Sequence, residues 1–587
     1  MIGLERYHRR TGGDPWRIYR GIIVAACVLA CAGVARGAVC TSTATGNWSA
    51  PGTWTACGGG IPQPGDTVVI SGHTVTLDTS ATVVSVTVNL INSTFKNAPG
   101  AYTLTLTQSG GDCLIGRNKA TIDLTYALAG AELTVSCTAS GATFGAIALA
   151  FASPFQGLEV LRLDHVIIDP GTAGIGVRMS NAFGAQTYNI QHTHFLRGAQ
   201  AITQTSLGTN NTGVIAYNTW EGLSAANSVA LVSAVGLQFT DNTDLNATTT
   251  GAMLSITGDI SGLVEARNAV KGSGTVTKRL HVFSSVTPTV SPTISYNVGH
   301  GSETVPGTSS FAGGCLGTSS FRCAYDHNVF QYYWNGISFG NWNNLSYNIG
   351  VQNSADSGGQ GCFIALSKSD ITSSFDSCQQ DSSNGNIDIL AITGARLTIT
   401  NMLAHGFTPA TGTPILIAIG EGASGSTHHM TDVSVSNSIT INGTYGISSI
   451  NPDNTFVTTG TGSVGVFNNS ATGATTGNYN ANGVASFGLS HPSATYGDVQ
   501  TVPMLVSTSR RIATCDAILG GVGTTANFFA QMALRWNGTN QANYTPQALW
   551  NCMAAPLASQ NVGYATAGFG GTFVGPYRPI IMVGSVQ

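Results

Sequence analysis

Between residues 160 and 468 the chain keeps returning to one short phrase: apolar and polar side chains alternate, and an asparagine closes the run. The clearest copies are Ile215-Ala216-Tyr217-Asn218, Phe239-Thr240-Asp241-Asn242, Glu265-Ala266-Arg267-Asn268, Ile294-Ser295-Tyr296-Asn297, Tyr325-Asp326-His327-Asn328 and Leu345-Ser346-Tyr347-Asn348. Weaker copies end at Asn401, Asn437 and Asn468, and two looser ones, Leu161–Asp164 and Ile190–Thr193, precede the series. The alternation and the β-branched residues read as strands. Gly, Asn, Ser and Thr fill the intervals, which carry no helical period. The clear asparagines are 20 to 31 residues apart, and the 53-residue gap from Asn348 to Asn401 reads as two turns of the same device. A strand with a turn-rich return, repeated at this period, winds into a parallel β-coil. Asn at the strand end tolerates left-handed backbone angles and bonds neighbouring backbone through its amide, so stacked copies predict a continuous ladder.

On these repeats the chain resembles the right-handed parallel β-helix superfamily that includes pectin lyases, polygalacturonases and phage tailspikes. The resemblance implies an all-β fold and leaves activity open. Residues 46–78 add a second likeness. Trp48 and Trp54, then Ile61–Ile70, then Gly72–Asp78 are similar to the opening of the domain named for its eight glycines, which begins some carbohydrate-acting β-helix proteins. The two tryptophans are placed to close the apolar bottom of the coil. Strand-like runs at Thr67–Ile70, Val83–Val88, Tyr102–Thr107, Thr121–Leu124 and Glu132–Cys137 read as the first turns. The longest excursions fall near Gly299–Ser320 and Ser354–Asn386. Near the C-terminus, Thr508–Leu519 and Thr545–Ala555 read as helices, the second with Thr545 as cap and Pro546 in its first turn.

Composition narrows the class. Charged residues make up 9% of the chain and the net charge is −4, with no basic tract to suggest nucleic acid. Residues 1–37 read as a signal peptide, with Arg9, Arg10, Arg17 and Arg20 ahead of an apolar run from Gly21 to Ala35. That run is too short to predict a membrane span, and Val28–Cys31 departs from a lipid-attachment motif at its second position. Cys27 and Cys31 belong to the leader. The other ten cysteines fall into couples, Cys40/Cys57, Cys113/Cys137, Cys315/Cys323, Cys362/Cys378 and Cys515/Cys552. An exported chain would join them as short-range disulfides. The domain reading is therefore 1–37 signal, 38–110 N-terminal cap and first turns, 111–490 right-handed parallel β-helix, and 491–587 a small, partly helical C-terminal cap.

Stacking converts sequence registers into stripes. The residues just before the ladder, His192, Tyr217, Asp241, Arg267, Tyr296, His327 and Tyr347, are expected to point outward, and from Tyr217 on they form the candidate substrate-binding face. Glu221, Asp244, Lys271 and His300 fall two or three residues past it and are the candidate catalytic set. Adjacent turns about 5 Å apart would suit a carboxylate pair, Glu221 and Asp244, with Lys271 or His300 as base for β-elimination. Asn242-Thr243-Asp244 and Gly299-His300-Gly301 are similar to two polygalacturonase motifs, but the intervening Asp-Asp pair and the following Arg-x-Lys are missing. Gly336-Ile337-Ser338-Phe339-Gly340 spells a nucleophile elbow inside what reads as a strand. His428-His429 and His192-x-His194 lack acidic or thiol companions in the sequence, so no metal and no cofactor are expected. The expected function is binding of extracellular or cell-surface polysaccharide by a secreted or surface protein. The alternatives are a polysaccharide lyase or glycoside hydrolase acting on an acidic polymer, and a structural or adhesive subunit that forms oligomers or filaments.

Overall fold

Asn218, Asn242, Asn268, Asn297, Asn328 and Asn348 lie one above another, all fully buried, in the computed structural model of the chain. From Asn218 to Asn328 each Nδ2 donates to the Oδ1 of the next asparagine at 2.9–3.1 Å, and all six donate to a carbonyl of the turn before. Each Oδ1 also accepts the backbone N–H of the preceding asparagine, as in Asn218 N–H to Asn242 at 3.1 Å. A buried polar group left unbonded costs about 1–3 kcal/mol, so this reciprocal pattern lets a column of amides sit inside the protein. Thr193 starts the column, donating its N–H to Asn218 Oδ1 at 2.9 Å.

The structure describes residues 37–351 apart from short stretches, the longest 302–310, with backbone alone for several strands between 311 and 344, strand backbone alone between 352 and 480, and residues 510–554 apart from 540–541. The signal segment, Cys362, Cys378, Asn401, Asn437, Asn468, His428 and His429 lie outside the described residues. Within them the chain is an all-β parallel solenoid, its strands forming one sheet of 18 and another of 29. A representative turn runs Gln238–Thr240, the asparagine corner, Thr243–Asp244, then Ala252–Ile256 on the opposite sheet. The corner is sharp because the residue before each ladder position is left-handed, with φ between 43° and 59° from His165 to Tyr347. Inside, one register stacks Ile190, Ile215, Phe239, Glu265, Ile294, Tyr325 and Leu345. The 53-residue gap is indeed two turns, since Ser346 pairs with Asp376 and Asp376 with Thr400.

The pairing also revises two readings. Leu163 is level with Ile190, so Val166 occupies the ladder register of its turn and Asp164 is on the outer face. Val83–Val88 is two strands, Ala81–Val83 and Ser85–Asn89, split by a corner. Strands Phe311–Leu316, and Phe363–Ala365, Thr372–Asp376 and Gln379–Ser382, fall within the two stretches read as long excursions, whose connecting segments lie outside the described residues.

At the bottom, Trp48 and Trp54 are buried edge-to-face with centroids 5.1 Å apart, and Trp54 Nε1 donates to the Trp48 carbonyl at 2.8 Å. Val39–Ser42 pairs parallel with Thr67–Ser71 and antiparallel with Trp54–Thr55, so the first strand presents no open edge there. Disulfides join Cys40 to Cys57, Cys113 to Cys137 and Cys515 to Cys552, as the cysteine couples suggested. Cys323 is also disulfide-bonded.

Among the described residues three α-helices follow: α1 (Ile512–Ile518), α2 (Thr525–Ala533) and α3 (Pro546–Ala554). The sequence reading found the first and third, with Thr545 Oγ1 capping α3 at Ala548 N–H. It missed α2, although Thr524 caps it at Asn527 N–H and Phe528, Phe529, Met532 and Ala533 mark its buried face. These helices pack on the side of the solenoid. Their apolar faces cover an outward row of Ala269, Val298, Val329 and Ile349, together with Val351. Apolar residues on both faces of these short strands are the sequence mark of a surface covered on both sides.

Candidate functional site

The outward stripe exists and is one residue longer than its sequence signature. His165 stacks on His192 (4.7 Å, 15°) and His192 on Tyr217 (5.1 Å, 12°). Arg267 forks onto Asp241 at 2.7 Å. Above that pair Tyr296, His327 and Tyr347 stack at 4.7 Å intervals. His165 carried no signal because Val166, not an asparagine, follows it.

The stripe divides into two halves. The upper half lies under the helices. Arg535 donates to Asp241 at 2.6 Å with both side chains buried, and its guanidinium lies over the Tyr217 ring. Trp550 meets the His327 ring edge-on at 4.4 Å and donates its indole N–H to the Tyr347 carbonyl at 2.7 Å. Thr219 donates its hydroxyl to the Ala533 carbonyl and Ile512 its N–H to Gln331 Oε1, which fixes the helices over the turns between. The lower half, His165 and His192, lies outside these contacts. Of the predicted binding residues, Asp241 is wholly buried, while Tyr296, His327 and Tyr347 pack against Trp550 rather than forming an open platform.

His192 does have an acidic companion, one turn away. Asp164 Oδ1 lies 2.9 Å from Nδ1 of both His165 and His192, and the three ligand-type atoms sit within 4.8 Å of one another. A metal must lie in the plane of each imidazole that binds it. Two rings stacked within 15° share no such point, so the arrangement does not suit a cation bound by both histidines, and His192 Nδ1 is hydrogen-bonded to Asp164 Oδ1 instead.

The candidate catalytic residues do not converge. Trp220, Asp244, Val270 and Gly299 share one register, and Lys271 and His300 share the next. Asp244 therefore points inward with Trp220, and Glu221 follows on the outer face. A one-residue shift along a strand exchanges faces, and the two-or-three-residue spacing combined both registers. Glu221 is half-buried and its Oε1 sits 3.1 Å from His194 Nε2. Burial lowers the His194 pKa, against the opposing pull of Glu221. His300 is buried beside Phe529 of α2 and Tyr332. That burial, with the Lys271 charge nearby, pushes its pKa down to about 4.

No family model, curated protein or solved structure matches the chain. The geometry alone carries the fold.

The sequence reading missed a polar interior. Glu265 Oε1 lies 3.1 Å from His281 Nδ1, and His281 Nε2 lies 2.8 Å from the Tyr325 hydroxyl, all three fully enclosed. Burial, and then the Glu265 charge, push the Tyr325 pKa well up. A second group joins Ser228, Asp244 and Lys278. The signal was available: Glu265 takes the register of Phe239 and Ile294, where every other turn is apolar or aromatic.

Proposed function

We propose that this is an exported right-handed β-helix protein of the pectin-lyase-like kind. It binds an extracellular or cell-surface polysaccharide along its uncovered outer face and does not cleave it. The carrying observation is the outer face of strands Thr74–Leu77, Thr94–Asn97, Thr121–Leu124, Glu159–Asp169 and Gln186–Phe195. One row there holds Thr74, Thr94, Thr121, Val160 and Thr187, and the row beside it Thr76, Lys96, Asp123, Arg162 and Asn189. Turns about 4.8 Å apart repeat hydroxyl and charged groups along the axis, a pattern suited to a hydroxyl-rich polymer lying lengthwise. His165 and His192 border it. The separation of Glu221, inward-facing Asp244 and helix-covered His300 removes the acid–base pair that cleavage on these residues would need. The disulfides are compatible with an oxidising compartment, and among the described residues no helix is long and apolar enough to cross a membrane.

The test is retention of the full chain by a panel of neutral and acidic glycans, with reducing-end and ultraviolet assays for products. Retention without product, weakened by Arg162→Ala, supports the reading. Absence of retention by every glycan overturns the binding claim, and product formation overturns the non-catalytic one.

A further inference from the structure

Inside the solenoid, Lys278 and Asp244 face each other with zero side-chain exposure, Nζ to Oδ2 at 3.2 Å. Ser228 bridges them: Nζ donates to its Oγ at 2.5 Å, and Oγ donates to Asp244 Oδ2 at 2.7 Å. The three residues come from successive turns, since Ser228 lies between Asn218 and Asn242, Asp244 between Asn242 and Asn268, and Lys278 between Asn268 and Asn297. The Tyr333 hydroxyl donates to the Lys278 carbonyl at 2.9 Å and holds its backbone. Apolar Trp220, Phe239 and Val270 occupy the neighbouring inward positions.

We infer that this is a self-modification site, at which the Lys278 amine condenses with the Asp244 carboxyl to form an intramolecular amide. Taking two charges out of water is costly, and replacing the pair by a neutral amide removes that cost. Ser228 supplies the route: as its hydroxyl proton passes to Oδ2, Oγ takes one from Nζ, leaving a neutral amine beside a carboxylic acid. The Nζ lone pair then attacks Asp244 Cγ. The nitrogen loses a second proton through Ser228 to the departing oxygen, the C–O bond breaks, and one water leaves. The balance is one ammonium and one carboxylate giving one amide and one water, with no change of oxidation state. Proximity replaces an external activator, and a dry interior withholds the water that hydrolysis requires. The product ties one turn to the next through the hollow of the coil.

The experiment is the intact mass of the folded chain after its disulfides are reduced and alkylated, followed by peptide mapping. The expected mass is lighter by one water, with a branched peptide joining the segments that carry Lys278 and Asp244. The double variant Asp244→Leu/Lys278→Met, which keeps the volume and removes both charges, should fold and show its full calculated mass. Ser228→Ala leaves the pair in place and should slow condensation after refolding by roughly 100-fold, the scale of a lost acid–base group. A folded parent at its full calculated mass, or a water loss that maps to a linear peptide, overturns the inference. Condensation of Ser228→Ala at the parental rate overturns the relay.

Discussion

Asp241 and Asp244 stand on either side of one asparagine corner and are both buried, yet they belong to different regions of the molecule. Asp241 precedes the ladder and faces outward, where Arg267 from the next turn and Arg535, in the 3-10 turn that follows α2, enclose it. Asp244 follows the ladder and faces inward, where Ser228 and Lys278 hold it. The pair teaches that burial in this protein has two sources. The inner face is buried by the coil itself, and the outer face only by a segment nearly 300 residues away, Arg535 being 294 residues from Asp241. Damage at the first should unravel the coil, whereas damage at the second should release the helices.

The largest effect is expected inside. Asp244→Ala leaves Lys278 buried without its carboxylate and should cost about 3–5 kcal/mol, seen as loss of the main transition in denaturant melts followed by circular dichroism. Next comes acid at the outer face. His300 has a folded pKa of about 4 against an ordinary 6.5, so the folded state prefers the neutral ring. That contribution is complete above pH 6.5 and is lost as pH falls toward 4, up to about 3 kcal/mol in all. Stepwise acidification should free the helices before the coil melts, read by tryptophan fluorescence from Trp536 and Trp550, and His300→Gln should flatten the response. Arg535→Ala removes one of two cations on Asp241 and should loosen the helices by about 2 kcal/mol, read as faster amide exchange over residues 512–554 with coil protection unchanged. Arg162→Ala, on the open face with an exposed side chain, should shift stability by less than about 0.5 kcal/mol in the same melts.

Much of this comparison was legible in the sequence. The asparagine spacing specified the coil, the corner and the outward stripe, because stacking identical amides rewards the same residue at the same register in every turn. Tyr217, Asp241, Arg267, Tyr296, His327 and Tyr347 all fall on that stripe. The inward position of Asp244 was also written there, through alternation from Asn242, but a tolerance of one residue in counting was enough to lose it. The first turns of the stripe were obscured because Val166 and Thr193 hold the ladder register without an amide. Least legible was the covering of the upper half. It depends on a contact between distant segments, and its only local traces are the apolar outward residues Ala269, Val298, Val329 and Ile349 and the amphipathic face of α2.

The most direct test is histidine acylation of the intact chain at neutral pH, followed residue by residue in the mass spectrometer. His165 and His192 should react before His300, which should react only when Arg535→Ala loosens the helices, and His281 only when the coil unfolds. Reaction of His300 at the rate of His192 in the parent chain would contradict the covered outer face, and early reaction of His281 would contradict the closed interior.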